Sequence, residues 1–272
     1  MKIIYDTTGQ TCNRLWSFMP TLITNFYSSQ KILVLFPDKE FLYFPNLEKK
    51  GCIHYSFLFN ILKKFLSFKN ACYINKIILG KLHVLRLFKW LEKKNPNTFI
   101  NGWNTIIGYG KALSYEEKNR LIDIYSPSNI IVNRNKDFFK SLRQNYEIVI
   151  GIHVRRGDYK EWQNGKFYYE VSEYMDFIRK LNDNTSRKVC FYISATNRAE
   201  LSGLSDNEFF NNNNSVVDDL YGLSLCDYIA GPPSSFSRFA SFLGQVPLYT
   251  IKNISNIPDL KDFQVNNNYL NS

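Results

Sequence analysis

Histidine and cysteine, from which most transition-metal sites are built, are scarce in this chain. There are three histidines and five cysteines, and no two cysteines stand at Cys-x-x-Cys or another metal-ligand spacing, which argues against a zinc cage. The odd, scattered set Cys12, Cys52, Cys72, Cys190 and Cys226 also argues against a disulfide framework and suits a reducing compartment. No Asp-x-Asp pair is available to hold a divalent ion. Glycine and proline number only 13 and 9 of 272 residues, which excludes collagen-like and low-complexity chains. No run of 18 apolar residues occurs, so no transmembrane helix is expected. The apolar part of the opening "MKIIYDTTGQ" is too short for a secretion signal. "GYGK" (108–111) follows no clear strand and lacks the P-loop pattern, so it is read as a turn. Acidic residues are missing from one block in particular. Between Lys49 and Lys94, eleven Lys or Arg face one acid, Glu92, and this block accounts for the whole net charge of +10.

What is present suits a globular α/β protein. Hydrophobic residues make up 44%, enough for one large domain or two of ordinary size. "KIIYD" (2–6) reads as a short buried strand. A polar turn follows, then a helix from Asn13 to about Ser28 and a strand at "KILVLF" (31–36). Strand, loop, helix and strand in this order open an α/β unit. Residues 55–94 alternate apolar clusters with lysines and are read as two basic amphipathic helices. "TFING" (98–102) reads as a short strand. Ser114, with Glu117 three residues on, is a capping box that starts a helix. After a helix around 135–144, strands at 147–154, 188–195 and 246–251 and a strand-like "YIAG" alternate with helices at 168–181, 219–227 and 234–244. The boundary near 135–146 separates two α/β halves, 1–140 and 141–272, with the basic block of about 49–94 inserted in the first.

Three clusters carry candidate chemistry. "GIHVRRGDY" (151–159) ends a strand with His153, Arg155, Arg156 and Asp158, and Glu161 follows closely. Ligands of open α/β sheets bind beyond the carboxyl ends of strands, and arginine presents a fork of donors matched to phosphate oxygens. The bland reading is a charged strand terminus, and a third is the cell-adhesion tripeptide Arg156-Gly157-Asp158. The second cluster holds Asp218 and Asp219 before one helix and Ser234, Ser235, Phe236 and Ser237 at the start of the next. Helix-start N–H groups and hydroxyls bind anions, and a carboxylate accepts both donors of a guanine edge; ordinary N-caps are the alternative. The third is "GQTCNRLW" (9–16), where Asn13 and Arg14 face a cleft or Asn13 simply caps its helix. The basic block attracts an anionic membrane, a nucleic acid or an acidic partner, or is a solvated face. Nucleic acid ranks last, because interleaved stacking residues are missing.

In combination these stretches become recognisable. "HVRRGDY" resembles the HxRRGDY motif of bacterial α1,2-fucosyltransferases, a family within the superfamily that includes α1,6- and protein O-fucosyltransferases. "DLYGLSLCDYIAGPPSSFSRFASFLG" is similar to the family's later block, and "GQTCNRLW" to its N-terminal turn. Cys12 stands where the family has a second glycine, Asn13-Arg14 where it has Asn-Gln, and Arg238-Phe239 where it has an aromatic pair. The resemblance implies an α/β glycosyltransferase of the GT-B type, two Rossmann-like halves facing a cleft. The second half would hold GDP-fucose, and the first would form the acceptor side. The implied reaction is inverting transfer of fucose to a glycan hydroxyl, α1,2-linked to galactose in a bacterial surface polysaccharide or oligosaccharide. Arg155 would be the main diphosphate contact, supported by Arg156. His153 would contact the donor near the ribose or phosphate, and Asp218 or Asp219 would read guanine. Ser234, Ser235, Phe236 and Ser237 would hold the nucleotide, and Asn13 and Arg14 would reach in from the first half. Asp158 and Glu161 are the nearest carboxylates for a catalytic base, Asp158 being equally a partner of an arginine. No metal or cofactor is expected. The implied location is cytoplasmic, with a candidate peripheral contact between residues 49–94 and the membrane's inner face, where the acceptor would be lipid-linked. The alternatives are another GDP-sugar, a non-catalytic nucleotide- or sugar-binding module, or a membrane-surface protein.

Overall fold

The computed structural model describes residues 1–6, 9–28, 30–107, 112–195, 207–209 and 215–265. "GYGK" (108–111) lies outside them. The chain divides into two units, Met1–Ser128 and Asn129–Asn266.

The first unit contains β1 (Lys2–Ile4), α1 (Thr11–Phe26), β2 (Ile32–Val34), α2 (Asn46–Lys49) and β3 (Ile53–Tyr55). It continues with α3 (Phe57–Phe65), α4 (Phe68–Lys81), α5 (Val84–Lys94), β4 (Phe99–Ile100), α6 (Gly102–Ile107) and α7 (Tyr115–Ile124). Its four strands are all parallel in the order β3-β2-β1-β4. Helix α1 buries Leu15, Phe18, Met19 and Leu22, and the buried Tyr125 hydroxyl donates to the Leu15 carbonyl at 2.7 Å. The capping box of α7 forms as its sequence predicts: Ser114 Oγ accepts from the Glu117 N–H, and Glu117 accepts from the Ser114 N–H.

The basic block folds into three helices where its pattern suggested two. Ser56 and Ser67 each accept a backbone N–H as N-caps, starting α3 and α4. His83, at φ 49°, breaks the chain between α4 and α5. The block docks by its apolar side. Phe88 stacks on Tyr5 at 5.9 Å and lies 5.4 Å from Phe99. Glu92 turns inward, accepting from the Tyr5 hydroxyl at 2.5 Å and from the Asn101 N–H at 3.1 Å. Among the described residues no helix is long and apolar enough to cross a membrane.

The second unit contains α8 (Asn129–Leu142), β5 (Ile148–Val154), α9 (Val171–Asp183), β6 (Val189–Ala195) and β7 (Glu208–Phe209). Then come α10 (Val216–Ser224), β8 (Tyr228–Gly231), α11 (Ser235–Gly244) and β9 (Leu248–Thr250). The five parallel strands run β7-β6-β5-β8-β9. All seven residues of β5 and of β6 are buried, as expected of a parallel sheet covered on both faces. One face packs on Tyr174, Phe177, Ile178 and Leu181 of α9. Helix α8 belongs to this unit because Arg134 and Asn135 bond to Asp218 of α10, so the division falls at residue 128, ahead of the helix. Cys190 and Cys226 are buried here, as Cys12 is in the first unit, and all five cysteines are free thiols.

Candidate active site

Strand order reverses at β5, with β6 on one side and β8 on the other, and ligands of such sheets lie beyond the carboxyl ends at the reversal. His153 occupies that end. It is in register with Ser194 of β6 and abuts Gly231 of β8, where an added Cβ would lie 2.8 Å from the His153 Cβ. Only glycine fits beside the imidazole. The ring lies 5.0 Å from that of Phe236. Burial, reinforced by the charge of Arg155, lowers the His153 pKa to about 3, so the ring is neutral. Its Nδ1 is buried without a hydrogen-bond partner among the described residues.

The two arginines that follow are anchored differently. Arg155 Nη2 reaches both oxygens of Asp158, at 2.9 and 2.8 Å. Its guanidinium lies 5.4 Å from the Tyr159 ring centroid, and its backbone N–H donates to the Tyr174 hydroxyl at 3.4 Å. Gly157, at φ +55°, makes the left-handed turn that brings Asp158 back toward Arg155, a conformation that favours glycine. Arg156 Nη2 donates to the Tyr168 hydroxyl at 2.5 Å and to Glu170 at 2.6 Å. The Tyr159 hydroxyl donates to the Pro233 carbonyl, tying the arginine loop to the segment before α11. Glu161 is exposed. Sequence reasoning missed the roles of Tyr159, Tyr168, Glu170 and Ser194. Tyr159 lies within the quoted motif, which is the one signal that pointed to it.

The adjacent aspartates separate. Helix α10 starts at Val216, three residues earlier than its sequence suggested, because Ser215 Oγ accepts from the Asp218 N–H. Both aspartates therefore sit inside the first turn. Asp218 is fully buried and accepts from Arg134 Nε at 2.5 Å, from Arg134 Nη2, from Asn135 Nδ2 at 2.8 Å and from the Ser215 hydroxyl. Both its oxygens are engaged inside the fold. Asp219 Oδ2 instead accepts from Ser194 Oγ at 3.4 Å, at the carboxyl end of β6. At α11, Ser234 Oγ accepts the Phe236 N–H at 3.1 Å as N-cap. Ser237 is buried and donates to the Ser234 carbonyl at 3.3 Å, whereas Ser235 and Phe236 are half-buried. Burial lowers the pKa of Arg238, one turn into α11.

In the first unit, Asn13 is half-buried near the start of α1. Arg14 donates to the Phe36 carbonyl at 2.8 Å and lies 3.8 Å from Asp38, so it holds the end of β2. An open groove of about 620 Å³ in the second unit is lined by Lys136, Phe139, Lys140, Arg143, Gln144 and Leu225. It holds none of the motif residues, and Arg143 there is bound to Asp227 at 2.9 Å.

The family model for glycosyl transferase family 11 matches residues 124–271, more than half of the chain. The chain belongs to glycosyl transferase family 11. The family 11 span includes the arginine loop and the serine-capped helix; Asn13 and Arg14 lie before it. The fold is shared with fucosyltransferase NodZ from Bradyrhizobium, at 15% identity and TM-score 0.54, over 92% of this chain and 95% of that one. The structure of NodZ α-1,6-fucosyltransferase co-crystallised with GDP gives TM-score 0.55 at 15% identity, over 92% and 94% of the two chains. POFUT1 in complex with GDP gives 0.53 at 10% identity, over 92% and 98%. At these identities the likeness is one of fold. No curated protein matches the sequence.

Proposed function

We propose that this family 11 glycosyltransferase is an inverting fucosyltransferase of the GT-B type that uses GDP-fucose. The observation that carries the reading is Arg155, held by Asp158 at the carboxyl end of β5 within a fold shared with GDP-bound fucosyltransferases. The acceptor is a glycan hydroxyl, with α1,2 linkage to galactose in a bacterial surface polysaccharide or oligosaccharide as the reading that the HxRRGDY resemblance favours. The acceptor oxygen attacks the anomeric carbon as its bond to the phosphate oxygen breaks. GDP leaves with the electron pair, and the acceptor proton passes to a general base, for which Glu161 is the candidate.

The geometry supports the following roles. Negative charge grows on the leaving diphosphate, and Arg155 with the N–H groups of the α11 start supplies the opposing charge and donors. Arg156, fixed to Tyr168 and Glu170, shapes the loop or meets the second phosphate. Neutral His153, with its unpartnered Nδ1, offers an uncharged hydrogen bond to the donor. Asp219, beside Ser194, is the carboxylate suited to guanine, and Ser234, Ser235 and Phe236 flank the nucleotide. Asp158 is engaged with Arg155, which leaves Glu161 as the candidate base of the loop. Asn13 is the candidate on the acceptor side.

The test is Arg155→Ala, with GDP affinity measured by calorimetry and turnover by GDP release from GDP-fucose on a panel of oligosaccharides. Losing one such donor costs about 100- to 1000-fold in rate. A folded variant with near-normal turnover would sink the assignment, and product linkage analysis decides the α1,2 reading.

A further inference from the structure

The basic block leaves a face that neither the sheet of the first unit nor the proposed chemistry uses. All nine Lys and Arg of residues 57–94 are exposed, and among the described residues none of them forms an ion pair. The one acid in this stretch, Glu92, points inward to Tyr5 and Asn101, so the outer face carries no carboxylate. It is also studded with apolar side chains. On α3, Phe57 and Phe65, 82% and 81% exposed, flank Ile61 at helical spacing. Tyr73 and Ile77 lie one turn apart on α4. On α5, Trp90 is 56% exposed and Leu87 lies three residues before it; Arg86 and Lys94 stand one turn to either side of Trp90 on the same surface.

We infer that this face of α3, α4 and α5 docks on an anionic phospholipid bilayer. An interfacial helix pairs apolar and aromatic side chains, which enter the headgroup–acyl boundary, with cations that meet lipid phosphates. Both halves of that pairing are exposed here. A nucleic acid satisfies the cations and can stack on Phe57, Phe65 or Trp90, but it offers no apolar phase to the exposed aliphatic Ile61, Ile77 and Leu87. A second copy of this face would set like charge against like. The helices lie on the surface and do not span it, since none is long and apolar enough to cross.

The test uses the full chain with sucrose-loaded vesicles of phosphatidylcholine containing phosphatidylglycerol, against phosphatidylcholine alone. The protein should sediment with the anionic vesicles at low salt and be released near 1 M salt, where the screening length falls to about 3 Å. Lys89→Gln and Lys93→Gln should each weaken partitioning about fivefold, and Leu87→Ser with Trp90→Ser should weaken it with the charge intact. No sedimentation with anionic vesicles at low salt would overturn the inference. So would equal binding to neutral vesicles, or binding to a single-stranded oligonucleotide that is stronger than to vesicles and insensitive to Leu87→Ser. GDP binding by the same variants should be unchanged. It reads the second unit independently, so failure here and failure of the proposed donor site are distinguishable.

Discussion

His153 illustrates how one side chain sets both a chemical and a thermodynamic property. Its pKa in the folded chain, about 3, lies below the ordinary imidazole value of 6.5. In acid the unfolded chain takes up a proton that the folded chain refuses, so this contribution to stability is fully present above about pH 6.5 and is lost progressively toward pH 3. Urea unfolding between pH 7 and 4 should therefore be flatter with pH for His153→Gln than for the parent; identical slopes would contradict a neutral buried ring. Asp158 makes a second residue-level prediction. As the exposed partner of Arg155, it should matter mainly through donor binding. Asp158→Asn should raise KM for GDP-fucose while leaving kcat within about tenfold of the parent. A collapse of kcat with loss of the acidic limb of the pH–rate profile would make Asp158 the base instead.

At the level of elements, the join of α8 to α10 is the most consequential contact. Arg134 and Asn135 both serve one buried carboxylate, Asp218. Arg134→Ala would strand that charge in the interior and should lower the unfolding free energy by about 3 kcal/mol, read by urea denaturation; a change below about 1 kcal/mol would show that the pair contributes little. The same contact marks where sequence reading ends. The α/β alternation was legible because parallel strands buried on both faces are written as unbroken apolar runs, as in "EIVIGIHV" and "KVCFYISA". The arginine loop was legible because its polar residues abruptly end such a run. The division of labour between Asp218 and Asp219 was not, since it depends on helix phase, and Ser215 sets that phase from behind an asparagine-rich stretch. Nor could Tyr168 and Glu170 be matched to Arg156 across a dozen residues of loop. The three-residue strand β3 and the break at His83 left too short a pattern to detect.

Across the whole molecule, positive charge is segregated. One block of the first unit holds the entire excess, while the proposed donor site relies on two arginines fixed by their own carboxylate partners. In the proposed reaction these arginines would provide the charge that a divalent ion otherwise brings to a leaving diphosphate. Transfer should therefore continue in EDTA; complete loss on chelation, restored by magnesium or manganese, would contradict this. The buried thiols have a practical consequence. Cys12 is buried in the first turn of α1 and Cys190 in β6, and burial raises the Cys190 pKa to about 12, so neither should react while its surroundings stay closed. Pulsed alkylation followed by peptide mass spectrometry would then time the opening of each unit separately, without any introduced label. The wild-type chain thus carries a built-in clock for whether its two units breathe together or apart.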